Sequence, residues 1–149
     1  MNRVWTYIIN KNLSEETLNA LLTDGINFIK NWTAHEQKLS ASFEIFKNKI
    51  IIVKVNEEVF SASGCSIDKL TRFIKEMEIK FSIELMNRLL VAYKHKDDLI
   101  ITNVSEIKGL LTQKQISENT IVYNTSLANS SDLANWEQAL KNTWLSKYL

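Results

Sequence analysis

A chain of 149 residues, 45% hydrophobic and 23% charged, carries enough apolar material for one compact domain with its own core. Eighteen basic residues against seventeen acidic ones leave a formal charge of +1, which excludes duplex nucleic acid as the main partner, because nothing neutralises a run of phosphates. One cysteine cannot close an internal disulfide, and no apolar run approaches the about 20 residues of a membrane-spanning helix, so a cytoplasmic protein without membrane insertion is expected.

There is no proline and there are only three glycines (Gly25, Gly64, Gly109), so no linker is visible and a single domain over 1–149 is expected. Val4-Trp5-Thr6-Tyr7-Ile8-Ile9 is β-branched and aromatic and reads as a first strand, ended by Asn10-Lys11-Asn12. Ser14 ahead of Glu15 and Glu16 starts a helix whose buried stripe is Leu18, Leu22, Gly25, Ile29 and Trp32. Residues 43–46 and 50–55, joined by Lys47-Asn48-Lys49, form a hairpin; its second arm is apolar on both faces and belongs inside a covered sheet. Ile67, Leu70, Ile74, Met77 and Phe81 step by three and four as a second helix. A second hairpin joins residues 89–93 to 99–102 through the charged turn Lys94-His95-Lys96-Asp97-Asp98. Ser105 can cap a short helix running to Gln113, residues 120–123 form a brief strand, and residues 124–131 make a polar surface loop. Asp132 can cap a last helix carrying Trp136, Leu140, Trp144 and Tyr148, whose bulk requires it to dock.

The first six elements run β-α-β-β-α-β. The expected fold is therefore α+β: a ferredoxin-like split βαβ core over 1–103 including an extra strand, with a β-hairpin extension and a C-terminal α/β appendage over 104–149. Right-handed crossovers place the third strand between the first and second and the fourth beside the first. His35 and Cys65 then converge where the second helix begins, and Arg3 shares an edge with His95.

Ser63-Gly64-Cys65-Ser66 entering a helix offers free N–H groups, hydroxyls and the positive dipole end, which suit a carboxylate or phosphate and favour a thiolate. An alternative reading needs no ligand: Ser63 or Ser66 caps the helix, Gly64 takes a turn conformation and Cys65 is a small buried residue. His35 can orient or deprotonate Cys65, or it can cap the first helix. The expected function is that of a non-enzymatic domain binding a small anionic ligand or a protein through Arg3, His35, Ser63, Gly64, Cys65, Ser66 and Asp68, with neither cofactor nor metal. The alternative is a thiol enzyme with Cys65 as nucleophile and His35 as base.

Several sharper motifs fail on spacing. The three glycines cannot build a phosphate-cradling loop with its Lys-Ser/Thr, so a P-loop ATPase is excluded. Six residues separate Cys65 from Arg72, one more than the tyrosine-phosphatase loop uses. Two histidines and one cysteine match no recurrent zinc pattern, and a site completed by Glu36 or Asp68 stays open. The third strand lacks the aromatic pair on which RNA-recognition modules of this topology stack bases.

Arg3-Val4-Trp5 with Tyr7, Trp32-Thr33-Ala34-His35 with Ser42-Phe43-Glu44, Ser63-Gly64-Cys65-Ser66-Ile67-Asp68, Arg88-Leu89-Leu90-Val91-Ala92-Tyr93 and Thr120-Ile121-Val122-Tyr123-Asn124 carry a resemblance that covers nearly the whole chain. On these residues it resembles a family of short, uncharacterised proteins of the Bacteroidota, many of them labelled "ABC transporter ATPase". The label implies nucleotide hydrolysis, for which the chain has no phosphate loop. In the tail, Glu106-Ile107, Leu110-Leu111, Ile116, Thr120-Ile121-Val122 and Trp136 are similar to the pattern of a bacterial GYF-like peptide-binding module without its lead aromatic motif, which implies a binding role.

Overall fold

The computed structural model describes residues 2–149. The chain is α+β. Its first part runs β1 (Asn2–Ile8), α1 (Glu15–Lys30), the short β2 (Thr33–Ala34) and β3 (Gln37–Lys38), β4 (Ser40–Phe46), β5 (Ile50–Asn56) and α2 (Gly64–Phe81). Then come β6 (Leu90–His95), β7 (Asp98–Asn103), α3 (Ile107–Thr112), β8 (Ile121–Tyr123) and β9 (Glu137–Ala139), with 3₁₀ turns at Val104–Glu106, Ser130–Asn135, Leu140–Asn142 and Trp144–Tyr148. No helix among the described residues is long and apolar enough to cross a membrane.

β5 lies between β1 and β4 in an antiparallel sheet, as its apolar character requires, with Val53 opposite both Trp5 and Phe43. Its odd-numbered residues Ile51, Val53 and Val55 join Trp5 and Tyr7 in the core beneath α1 and α2. The even-numbered Ile50 and Ile52 join Val4 and Ile8 on the opposite face.

Ser14 caps α1, its hydroxyl oxygen accepting from the Thr17 N–H. The stripe on α1 centres on Leu21 and Gly25, which are buried, with Leu18, Leu22, Phe28 and Ile29 flanking them. Gly25 meets the ring of Phe43 so closely that a Cβ there would overlap it. Leu70, Phe73, Ile74 and Met77 bury one face of α2, and Phe73 stacks on Phe28 at a centroid distance of 4.5 Å.

The fourth strand departs from the ferredoxin-like order. β6 does not lie against β1; it pairs with β7 and β8 in a second sheet of order β7-β6-β8-β9. Val4, Ile8, Ile50 and Ile52 explain the departure, since they give the first sheet a second apolar face that a ferredoxin-like sheet would leave to solvent. Ala92, Leu99, Tyr123 and Trp136 of the second sheet's neighbourhood bury that face. The edge of β1 is met by residues 125–129, where the Val4 N–H donates to the Ala128 carbonyl at 3.0 Å and Arg3 bridges Asn129.

Arg3 and His95 consequently do not share an edge. Lys47 donates to the Asp97 carbonyl at 3.3 Å, and Lys47 follows Phe46, which aligns through Ile50 with Ile8. His95, which ends β6 opposite Asp98, thus sits at the far end of β1 from Arg3.

The expected last helix does not form. Trp136 is buried in the inter-sheet core, its ring 5.0 Å from both Phe46 and Tyr123. Leu140 belongs to a third core, with Val91, Tyr93, Ile107, Ile116, Val122 and Leu145, on the other face of the second sheet. Pairing of β9 with β8 (Val122 opposite Gln138) and the Thr143 side-chain cap on the Leu145 N–H break the chain into short pieces. Leu145 is buried and its neighbour Trp144 is exposed, the reverse of the helical stripe.

Candidate functional site

The two loops singled out in the sequence are neighbours through groups other than His35 and Cys65. Trp32, fully buried, donates its indole N–H to the Ser66 carbonyl at 2.8 Å and meets Trp5 edge-on at 5.9 Å. His35 and Glu36 occupy the turn between β2 and β3, both left-handed (φ 50° and 67°), the geometry that a tight two-residue hairpin demands. His35 does not cap α1. Asn31 does so, its side-chain amide donating to the Asn27 carbonyl at 3.2 Å.

At the start of α2, Ser63 and Ser66 form a reciprocal cap. Ser66 N–H donates to Ser63 Oγ (3.1 Å), Ser63 N–H donates to Ser66 Oγ (2.7 Å), and the Ser66 hydroxyl donates to the Ser63 carbonyl (2.8 Å). Ser66 is completely buried, so it offers a ligand nothing. Gly64 has an ordinary negative φ with open space where a Cβ would stand, and neither a left-handed turn nor a close approach requires it. Cys65, Asp68 and His35 are exposed; the cysteine is therefore not the small buried residue of the ligand-free reading. Among the described residues no hydrogen bond joins His35 to Cys65, and neither residue lines the clefts beside β1. Among the described residues no group of three or more His, Cys, Asp and Glu side chains is placed to hold a metal ion.

Concave surface lies elsewhere: a cleft of about 550 Å³ lies between the turns holding Lys47, Lys49, Asp97 and Asp98, and further concave surface runs along the open edge of β1. Two adjoining clefts of about 270 and 460 Å³ share Arg88, Leu90, Thr125 and Ser126 as a common wall. The smaller continues over Asn124, Gln138, Asn142 and Trp144; the larger runs along Trp5, Tyr7, Thr71, Leu85 and Met86. Arg3, one of the residues expected at a site, approaches this region through Trp5, its guanidinium 5.0 Å from the indole centroid.

Two features decide what the clefts can do. Among the described residues Arg88 is the only charged one lining either cleft, and it belongs to none of their ion pairs, which are Lys54–Glu44, Lys80–Asp24 and Lys94–Glu137. Arg88 is exposed, and with no carboxylate partner among the described residues its planar fork is free to take an anion.

The second feature is the β1 backbone. Val4 donates outward to Ala128, and Asn10 donates outward to the Glu84 carbonyl at 3.2 Å, whereas Ile9 donates inward to Lys49. By the alternation of an antiparallel ladder, Thr6 and Ile8 also direct their N–H groups outward, and neither finds a backbone partner among the described residues. Both residues line the larger cleft. Among the described residues the strap at 125–129 hydrogen-bonds the middle of β1 through the Thr6 hydroxyl, which donates to the Thr125 carbonyl at 2.9 Å. Burial pushes the Tyr7 phenol well above its ordinary range, keeping it a neutral donor.

Arg88 opens one of the stretches that carry the family resemblance, but a lone arginine between Asn87 and Leu89 has no spacing that marks it as a binding residue. Trp144 falls on the stripe that helical spacing predicts to be buried. The stretch beginning at Asn124 was recognised as a loop, but nothing local told which strand it would flank.

Compared with family models, curated proteins and solved structures, the chain matches none.

Proposed function

We propose that this chain is a non-enzymatic cytoplasmic domain that binds a small anionic ligand in the clefts beside β1, with Arg88 as the anion's partner. The observation that carries the reading is the unpaired Arg88 guanidinium in a wall with no acidic residue. A fork of N–H donors matches a carboxylate or phosphate, and the rest of the polar lining is neutral; the nearest carboxylates, Glu78 and Glu84, are held outside the lining by the Leu85 and Met86 N–H groups and by the Asn10 amide. Membership of the Bacteroidota family is proposed on the residues quoted above, of which Trp5, Tyr7, Arg88 and Asn124 line the clefts. The thiol-enzyme alternative has less behind it: Cys65 is exposed, but His35 makes no hydrogen bond to it.

Thermal unfolding and calorimetric titration with inorganic phosphate and acetate test the proposal. Because phosphate also stabilises folded proteins generally, Arg88→Gln is the reference at matched ionic strength. A specific ligand at a hundredfold its dissociation constant adds about 2.7 kcal/mol of stability, which Arg88→Gln should lose and Cys65→Ser should keep. Equal stabilisation of the parent and Arg88→Gln would refute the site. ATP with magnesium should not be hydrolysed, and rapid alkylation of Cys65 that an anion blocks would favour the thiol reading.

A further inference from the structure

We infer that the anion is the terminal carboxylate of an extended peptide, which pairs with the open middle of β1 while Arg88 takes its charge. This rests on the anion-binding reading and narrows it to a ligand class. A free inorganic anion satisfies one cation, but the larger cleft offers more: an extended strand whose outward N–H groups at Thr6 and Ile8 lie between two satisfied neighbours, Val4 and Asn10. In an antiparallel ladder each outward residue presents its carbonyl beside its N–H, so the edge asks for a partner with both donor and acceptor at the two-residue period of a strand. A peptide backbone has that pattern, and addition of a strand to an exposed edge is a recurrent mode of peptide recognition, as is capture of a terminal carboxylate.

The geometry also limits the ligand's length. β1 is closed at one end by Ala128 and at the other by Glu84, leaving a gap spanning Thr6 to Ile8. Only the last two or three residues of a peptide fit there, and the chain end must stop at Arg88. Leu85, Met86 and Leu127 line the same cleft, which favours an apolar final side chain, and Met86 is 38% exposed at its rim. The absence of any carboxylate in the lining admits the negative terminus without repulsion.

The test uses the whole protein and N-acetylated tetrapeptides ending in alanine, leucine, phenylalanine, serine or asparagine, each as free acid and as terminal amide, with acetate and phosphate as small-anion probes. At least one free acid should bind about tenfold or more tightly than its amide and than acetate, and Arg88→Gln should remove the preference for the acid. N-methylation of the peptide amide facing β1 should weaken binding about three- to tenfold, the effect of one hydrogen bond. In the unliganded protein the Thr6 and Ile8 amides should exchange with solvent faster than those of Val4 and Asn10, and the best peptide should protect them and shift their NMR resonances. Binding of phosphate that depends on Arg88, with no free acid exceeding acetate, overturns the peptide inference and leaves the anion reading intact. Failure of every anion, peptide acids included, to respond to Arg88→Gln overturns both. Tight peptide binding that leaves the Thr6 and Ile8 amides unprotected also overturns the inference.

Discussion

Gly25→Ala separates an argument from helix propensity from an argument from this fold, because the two give opposite signs. Gly25 lies in the interior of α1, where replacing glycine with alanine contributes about 0.8–1.0 kcal/mol of helix stability. Here the new methyl would coincide with Cδ1, Cε1 and Cζ of the Phe43 ring. The ring cannot swing away cheaply: it is 6% exposed, Phe73 stands edge-on at 6.2 Å, and the β4 backbone is held by its register with Phe43 opposite Val53. Overpacking of this kind costs about 1–3 kcal/mol, and subtracting the propensity gain leaves a net destabilisation of about 0–2 kcal/mol. For a domain of this length each kcal/mol lowers the melting temperature by about 2–4 °C, so a fall of up to about 8 °C is expected. Urea unfolding followed by circular dichroism gives the free energy directly, and Phe43→Leu supplies the control. With the ring gone, Gly25→Ala should become neutral or stabilising, and the double-mutant cycle should return a coupling of about 1–3 kcal/mol. A rise in stability for Gly25→Ala with Phe43 in place would show that the packing of α1 on β4 is wrong.

The two neighbours at the C-terminal end should behave oppositely: Leu145→Ala, fully buried in the third core, should cost about 2–5 kcal/mol, whereas Trp144→Ala, 57% exposed, should stay within about 0.5 kcal/mol. Comparable losses in the two variants, measured by urea unfolding, would restore the helical stripe. At high pH, Tyr123 should weaken the fold. Burial first, then its hydrogen bond to Glu137 and that carboxylate's charge, push its phenol from 10.0 up to about 12. The folded chain keeps a proton that the unfolded chain releases, so this contribution is complete below pH 10.0 and is lost between there and about pH 12. Tyr7, raised by burial alone, acts in the same direction. Stability measured across this range should fall less steeply in Glu137→Gln, and an equal slope in the two proteins would exclude the Glu137 contribution.

The elements that local chemistry specifies were legible. Ser14 before two glutamates marked the start of α1, the run Ile50-Ile51-Ile52-Val53 marked a strand buried on both faces, and the polar turns marked both hairpins. Partnership was harder to read, because the alternation in Leu90-Val91-Ala92-Tyr93 is the same whichever sheet the strand joins. A clue was present nonetheless: Val4, Ile8, Ile50 and Ile52 form an apolar face that no ferredoxin-like helix would reach. The C-terminal segment misled for a different reason. Large residues four apart satisfy a helix, yet Trp136 and Leu140 enter different cores on opposite faces of a thin sheet. The serines at the start of α2 were legible as caps, and the cap consumes Ser66.

The candidate site was the least legible part, because the step that makes it is the same step that breaks the expected topology. A fourth strand paired along β1 would have satisfied the Thr6 and Ile8 N–H groups and filled the groove. The apolar second face of β5 instead draws β6 and β7 beneath the first sheet, and the edge is left to an irregular strap running antiparallel from Asn129. That strap makes one backbone hydrogen bond, at Val4, and then splays, so that Thr125, Ser126 and Leu127 become a cleft wall rather than a strand. Arg88 stands at the point where the chain leaves α2 to enter the second sheet, which brings it to the wall shared by both clefts. Burial on both faces of one strand thus accounts for the displaced β6, the open edge of β1 and the cleft that Arg88 lines.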